Sequence, residues 1–118
     1  MNRLLLSTAA SDHTFTRSGS RWTGKCLICN GNLSFDERTS VGANLEHIVP
    51  RSRGGTNDPL NLGVTHPACN AEKGRNWDCR KGHQRHAQEE YQALLDRLLQ
   101  RRKDRWLDTE AVNGLRPA

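Results

Sequence analysis

Residues 46–73 decide the fold of this 118-residue chain, and they read EHIVPRSRGGTNDPLNLGVTHPACNAEK. Glu46 and His47 follow one apolar residue and precede two more, so they are predicted to end a short strand. The Gly, Asn, Asp and Pro residues within 54–59 interrupt regular structure and reverse the chain. The stretch therefore begins as a strand followed by a long loop.

The second half of this stretch is predicted to fold back on the first. Residues 61–64 form a return strand, and Pro67 fits the first turn of a helix over 68–76. The resulting order is strand, loop, strand and helix. It brings four polar side chains within reach of one another, namely Glu46, His47, Asn61 and Asn70.

These motifs resemble those of the HNH endonuclease family, whose active-site fold is called ββα-metal. The resemblance spans roughly residues 24–76, under half of the chain, and rests on EHIVP at 46–50, RGG at 53–55, NL at 61–62, CN at 69–70, KG at 73–74 and CxxC at 26–29. It implies an α+β fold in which a small ββα-metal (HNH, or His-Me finger) motif with a structural zinc site is flanked by a C-terminal α-helix.

The resemblance also implies an enzyme, a divalent-metal-dependent endonuclease that hydrolyses the phosphodiester bonds of DNA. His47 corresponds to the general base that takes a proton from water. Asn61 corresponds to the residue that orients this histidine and supports the loop. Glu46 and Asn70 correspond to ligands of a catalytic divalent ion, expected to be Mg2+ or Mn2+ because both side chains offer oxygen atoms. Asn70 replaces the histidine of the family name, and Glu46 replaces a frequent aspartate; both changes preserve ligand chemistry.

The cysteines are spaced for a metal site. Cys26 and Cys29 are separated by two residues, as are His66 and Cys69, and together they form a Cys3His set suited to a tetrahedral zinc ion. Four protein ligands leave no open position for water, so this zinc is expected to be structural. Cys79 is an alternative to His66 as the fourth ligand, and the mirrored spacing favours His66.

Composition points to a polyanionic partner. The chain has 18 Lys and Arg against 13 Asp and Glu, a net charge of +5, and a pI of about 9.4. DNA is the simplest such partner. The sequence shows no signal peptide and no apolar stretch long enough for a membrane span. A reducing cytoplasm is therefore expected, and the phage packaging, restriction and homing systems that use small HNH proteins imply a bacterial or phage-infected cell.

The chain is predicted to divide into a flexible N-terminal arm over 1–20, a nuclease domain over 21–80 and a C-terminal helix over 84–107. The arm is rich in Ser and Thr. The helix carries an apolar stripe at helical spacing, which is expected to pack on the core or on a second copy, giving a possible homodimer. The stripe consists of Tyr91, Leu94, Leu95, Leu98 and Leu99.

Basic side chains near the motif and on the helix are candidates for phosphate contacts. They are Arg51, Arg53, Lys73, Arg101, Arg102 and Lys103. Two other functions fit the same sequence. A non-catalytic, zinc-stabilised nucleic-acid-binding module would bind DNA without divalent-ion-dependent nicking. A protein-interaction zinc knuckle with a helical dimerisation arm would show no DNA affinity at low salt.

Overall fold

The computed structural model describes residues 2–79 and 88–108. The elements in chain order are α1 (Arg3–Ala10), β1 (Thr16–Ser18), β2 (Arg21–Lys25), β3 (Asn32–Asp36), β4 (Asn44–His47), β5 (Leu62–Thr65), α2 (Pro67–Lys73) and α3 (Gln88–Asp104). The predicted α+β fold is confirmed. None of the helices in these two ranges has the length and apolar character that crossing a membrane requires.

The predicted strand–loop–strand–helix unit is formed by β4, β5 and α2. The two strands pair antiparallel, with Glu46 opposite Gly63 and His47 opposite Leu62. The return strand begins one residue later than predicted, because Asn61 belongs to a 3-10 turn over Pro59–Asn61. At its other end, α2 continues into a π-helical turn over Gly74–Asp78.

The loop between β4 and β5 folds back tightly on the end of the first strand. The amide of Gly55 donates a hydrogen bond to the carbonyl oxygen of Pro50 over 3.0 Å. A Cβ atom at Gly55 would lie 1.7 Å from the carbonyl oxygen of Val49, so no other residue fits here without moving the backbone. Gly54 has a φ of 88°, a conformation that glycine adopts at little cost.

Residues 2–20 are not a flexible arm, and this prediction is wrong. The carboxamide of Asn2 caps α1 by accepting a hydrogen bond from the amide of Leu5 over 3.0 Å. Leu5 and Ala9 are fully buried and pack with Phe35 of β3 in one hydrophobic cluster. The three-stranded antiparallel sheet β1–β2–β3 lies against this cluster. The helix is short and its burial depends on partners distant in sequence, so the local sequence does not indicate that it packs on the core.

The apolar stripe of α3 packs on the core of its own chain. Tyr91, Leu94, Leu95 and Leu98 are buried in a second cluster with Ile48, and Leu99 packs against that cluster. The stripe is thus used inside the chain, which removes the reason for expecting it to bind a second copy. The helix was predicted over 84–107; residues 84–87 lie outside the described residues, and the described helix ends at Asp104.

Candidate active site and metal centre

Glu46 and Asn70 meet where the β4–β5 hairpin packs on α2. Glu46 lies on β4 with 6 % of its surface exposed. Nδ2 of Asn70 on α2 donates a hydrogen bond to Oε1 of Glu46 over 3.1 Å. This bond uses the amide nitrogen and leaves the amide oxygen of Asn70 as a possible ligand atom beside the carboxylate. The structure thus brings together the two residues that the sequence assigned to a divalent ion.

Lys73 is buried beside this pair, with 1 % of its side chain exposed. Its ammonium group donates to the carbonyl oxygen of Ile48 over 2.9 Å and to the two carboxylate oxygens of Asp78 over 3.0 and 2.9 Å. The same ammonium group lies 2.9 Å from Oε2 of Glu46, so Lys73 joins Ile48, Asp78 and Glu46. The prediction that Lys73 contacts DNA is contradicted, since the side chain lies inside the protein.

The carboxylate of Glu46 forms a buried ion pair with Lys73. Nζ of Lys73 lies 2.9 Å from Oε2 of Glu46. Burial raises the pKa of the Glu46 carboxyl, and the attraction to Lys73 opposes that rise only in part. The carboxylate of Glu46 and the amide oxygen of Asn70 are oxygen ligands of the kind that hard divalent cations such as Mg2+ or Mn2+ prefer.

His47 is half-buried at the end of β4, and its ring is held by Asn57. Nε2 of His47 lies 2.8 Å from Oδ1 of Asn57, at the tip of the loop. Because an amide oxygen only accepts hydrogen bonds, Nε2 carries the proton in this arrangement and Nδ1 is the basic nitrogen. The imidazole is therefore oriented as a proton acceptor at Nδ1.

Asn61 braces the loop that carries Asn57. Its carboxamide oxygen accepts from the amide of Val49 over 2.8 Å, and its nitrogen donates to the carbonyl oxygens of Val49 and Thr56 over 3.1 and 2.9 Å. These bonds join the two ends of the loop. The loop that Asn61 joins also carries Asn57, the hydrogen-bond partner of the His47 ring.

Four metal-ligating side chains converge at the junction of the β2–β3 turn and α2. One ligand atom from each of Cys26, Cys29, His66 and Cys69 lies within 4.8 Å of the others. These four residues could hold a metal ion. Cys79 is exposed and is not part of this cluster, so the cluster contains His66 as the predicted fourth member.

The ring of His66 is fixed in the tautomer that a metal needs. Nε2 lies 2.8 Å from the carbonyl oxygen of Asn32 and donates to it. Nδ1 is then unprotonated, and it lies 3.4 Å from Sγ of Cys29 and 3.7 Å from Sγ of Cys69. A second hydrogen bond of this kind is the usual way in which proteins orient a ligating histidine.

The thiols of the cysteine residues in this cluster also favour the binding of a cation. The backbone amide of Gly31 donates to Sγ of Cys29 over 3.3 Å and helps to lower the pKa of this thiol to about 7. Burial, followed by the neighbouring Cys26, raises the pKa of Cys69 to about 12. Adjacent thiolates therefore repel one another unless a cation lies between them, and Zn2+ fits this donor set.

Arg101 of α3 and Arg105, which directly follows the helix, hold the cysteine turn in place. Nη1 of Arg101 donates to the carbonyl oxygens of Leu27 and Ile28 over 2.6 and 2.9 Å. Nη1 of Arg105 donates to the carbonyl oxygen of Lys25 over 3.0 Å. Arg101, predicted to contact DNA, thus binds the backbone between the first two cysteines, and the residue is half-buried.

Arg102 is fully buried, so the prediction that it contacts DNA is wrong. Its guanidinium group donates to the carbonyl oxygen of Ser11 over 3.1 Å, to Oγ of Ser11 over 2.6 Å and to the carbonyl oxygen of Pro59 over 3.2 Å. It therefore ties the end of α1 to the β4–β5 loop. The neighbouring Lys103 is exposed.

The arginines of the loop differ from each other in exposure. Arg51 is exposed. Arg53 is half-buried, with its guanidinium carbon 4.6 Å from the centre of the Tyr91 ring. Its Nε donates to the carbonyl oxygen of Asp78 over 3.4 Å. Arg53 thus spans the loop, the π-helical turn and α3.

Three residues of the site were not found from the sequence. The sequence predicts only that Asn57 interrupts regular structure and that Tyr91 belongs to the apolar stripe, and it indicates no role for Asp78. The sequence does not indicate that Asn57, ten residues after His47, contacts the imidazole, because the two meet only when the loop folds back. The phenol of Tyr91 was the one available sign, because a buried tyrosine hydroxyl usually has a hydrogen-bond partner.

A family model described as HNH endonuclease matches residues 26–86, just over half of the chain. Neither the curated proteins nor the solved structures provide a match.

Proposed function

The chain belongs to the HNH endonuclease family, and on this basis we propose that it is a metal-dependent endonuclease that hydrolyses the phosphodiester bonds of DNA. In this proposal His47 is the general base, and Glu46 and Asn70 hold a catalytic Mg2+ or Mn2+ ion. The ion would supply Lewis-acid stabilisation of the phosphoryl group and of the leaving oxygen.

The contact between Asn70 and Glu46 carries the proposal. It joins α2 to β4 over 3.1 Å, and His47 follows Glu46 directly on the same strand. The general base and the ion-binding residues therefore lie on one structural unit. Catalysis requires such groups to be held in place before the substrate arrives.

His47 acts on the attacking water. The bond to Asn57 places the proton on Nε2, so Nδ1 takes a proton from water as the water attacks phosphorus. Asn61 keeps the Asn57 loop against β4 through its bonds to Val49 and Thr56. Asn61 is thus a positioning residue in this mechanism.

We also propose that Cys26, Cys29, His66 and Cys69 bind Zn2+ as a structural ion. Four protein ligands leave no position for substrate or water. Cys69 directly precedes Asn70 in α2, so a zinc ion here would fix the start of the helix that carries the catalytic amide. Its role is to join the β2–β3 turn to that helix.

DNA is held mainly through charge in this proposal. The net charge is +5, and the candidates for phosphate contacts that remain accessible are Arg51, Arg53, Arg101 and Lys103. Contacts to phosphates fix the position of DNA without reading its sequence. Binding is therefore expected to be weakly sequence-selective and sensitive to salt.

A plasmid cleavage assay with added Mg2+, Mn2+ or Ni2+, and with EDTA as control, tests the proposal. Cleavage that depends on the added ion supports the nuclease. Zinc content measured after EDTA treatment distinguishes loss of the catalytic ion from loss of the structural one. A protein that retains its zinc and binds the plasmid without cutting it would be the non-catalytic binding module.

A further inference from the structure

We propose that Tyr91 on α3 is a positioning residue for the active site, acting on Glu46 through Asp78 and Lys73. The inference rests on the proposed function, since it takes Glu46 as a ligand of the catalytic ion. Tyr91 lies beyond residues 26–86, the span of the family match. The C-terminal helix would then be part of the catalytic unit as well as a cover for the core.

The contacts form a continuous path from α3 to β4. The hydroxyl of Tyr91 donates to Oδ1 of Asp78 over 2.6 Å. Asp78 accepts two bonds from Lys73, over 3.0 and 2.9 Å. Nζ of Lys73 lies 2.9 Å from Oε2 of Glu46. Tyr91 and Lys73 are both buried, with 4 % and 1 % of their surfaces exposed.

The chemistry of the groups fixes the direction of these bonds. A carboxylate only accepts hydrogen bonds, so the phenol must donate. Lys73 donates to the carbonyl oxygen of Ile48 and to the carboxylate of Asp78. The same ammonium group forms an ion pair with Glu46, so it links the two carboxylates.

This path holds the carboxylate of Glu46 in place for a divalent ion. Loss of the hydrogen bond from Tyr91 would free Asp78 to shift, and Lys73, which donates to Asp78, would shift with it. The ion pair between Lys73 and Glu46 would then change, and with it the position of the carboxylate.

The hydroxyl can be tested apart from the ring. The ring of Tyr91 packs against Trp77, with ring centres 6.5 Å apart, and against the guanidinium group of Arg53 at 4.6 Å. Tyr91→Phe retains the ring and removes only the donor. Ser11→Ala is a matched control. It also removes a hydroxyl that forms a 2.6 Å hydrogen bond with a buried charged residue, in this case Arg102 on α3.

The experiment measures Mn2+ binding to the zinc-loaded protein without DNA, from the electron paramagnetic resonance signal of free Mn2+. Tyr91→Phe is expected to raise the Kd for Mn2+ by about tenfold, the lower end of the range for residues that orient metal ligands. Ser11→Ala is expected to bind Mn2+ like the wild type. The Mn2+ concentration for half-maximal plasmid cleavage should shift by the same factor in Tyr91→Phe.

Asp78→Asn provides a second test that does not depend on the folding of the Tyr91 variant. It should weaken Mn2+ binding at least as much, and Tyr91→Phe combined with it should add little, since both act along one path. Wild-type affinity in Tyr91→Phe, or an equal loss in Ser11→Ala, overturns the inference and leaves the proposed function standing. A wild-type protein that neither binds Mn2+ nor cleaves DNA overturns both.

Discussion

Nδ2 of Asn70 donates to Oε1 of Glu46 over 3.1 Å, and this bond joins α2 to β4 at the centre of the site. The two residues are 24 positions apart in sequence. Their contact depends on the fold of the hairpin and on the junction of four metal-ligating side chains at the start of α2.

Removal of the amide of Asn70 should weaken the binding of the catalytic ion. Asn70→Ala is expected to raise the Mg2+ concentration needed for half-maximal cleavage, and excess Mn2+ should restore part of the rate. The measurement is a metal titration of plasmid cleavage at fixed enzyme concentration. A variant that cleaves with the wild-type metal dependence would show that Asn70 is not a ligand.

Glu46 should make the stability of the metal-free site depend on pH. Its pKa in the folded protein is raised by burial above the ordinary value of 4.5. The protonated carboxyl therefore stabilises the folded protein. This contribution is fully present at pH values below the pKa that Glu46 has in the unfolded chain, and it is lost as the pH rises through the pKa that Glu46 has in the folded protein. Glu46→Gln does not titrate, so its stability relative to wild type should increase from pH 4 to pH 7.

Urea unfolding of both proteins at each pH, without added divalent ion, measures this difference. Both proteins are kept zinc-loaded so that the structural site contributes equally. Added Mn2+ should reduce the advantage of Glu46→Gln, because it stabilises only the protein that retains the carboxylate. A constant difference across this pH range would mean that burial of Glu46 carries no net cost.

The zinc site should depend on His66 and not on Cys79. His66→Ala is expected to lose zinc and unfold at lower temperature, because metal binding and folding are coupled. Cys79→Ser should retain one zinc per chain. Elemental analysis and thermal unfolding of the two variants provide the comparison, and a zinc loss confined to Cys79→Ser would refute the ligand assignment.

DNA affinity should depend on exposed basic residues and not on the buried ones. Replacing Arg51 and Lys103 together by Ala should lower the salt slope of binding by about 2, or about 1 for each phosphate contact. Arg3→Ala with Arg38→Ala removes the same charge from other exposed positions and serves as the control. Equal slopes for the two double variants would mean that only net charge matters.

Sequence motifs predicted the unit formed by β4, β5 and α2 because its signals are local. Glycine, proline and the alternation of apolar residues specify this short hairpin and the helix start. The metal-ligating cluster could also be predicted. Cys26 and Cys29, and likewise His66 and Cys69, are separated by two residues, which is a spacing typical of metal ligands. These features need little knowledge of the rest of the fold.

The burial of charged side chains could not be predicted from such local motifs. Arg102 and Lys73 look like surface residues in a basic chain, yet both are fully buried and bonded to groups distant in sequence. The helix α1 was missed for a related reason, because Leu5 is buried only against elements that follow it. A run of basic residues predicts that these side chains bind a partner. The fold decides whether that partner is DNA or the protein's own backbone.

Cleavage by His47→Ala under excess Mn2+ tests the central claim most directly. If His47 is the general base, cleavage should fall by about 100- to 10,000-fold, while zinc content, DNA affinity and thermal stability remain near those of the wild type. Excess Mn2+ should not restore the rate, because the missing group is a proton acceptor. Wild-type cleavage by the folded, zinc-loaded His47→Ala protein would contradict the account.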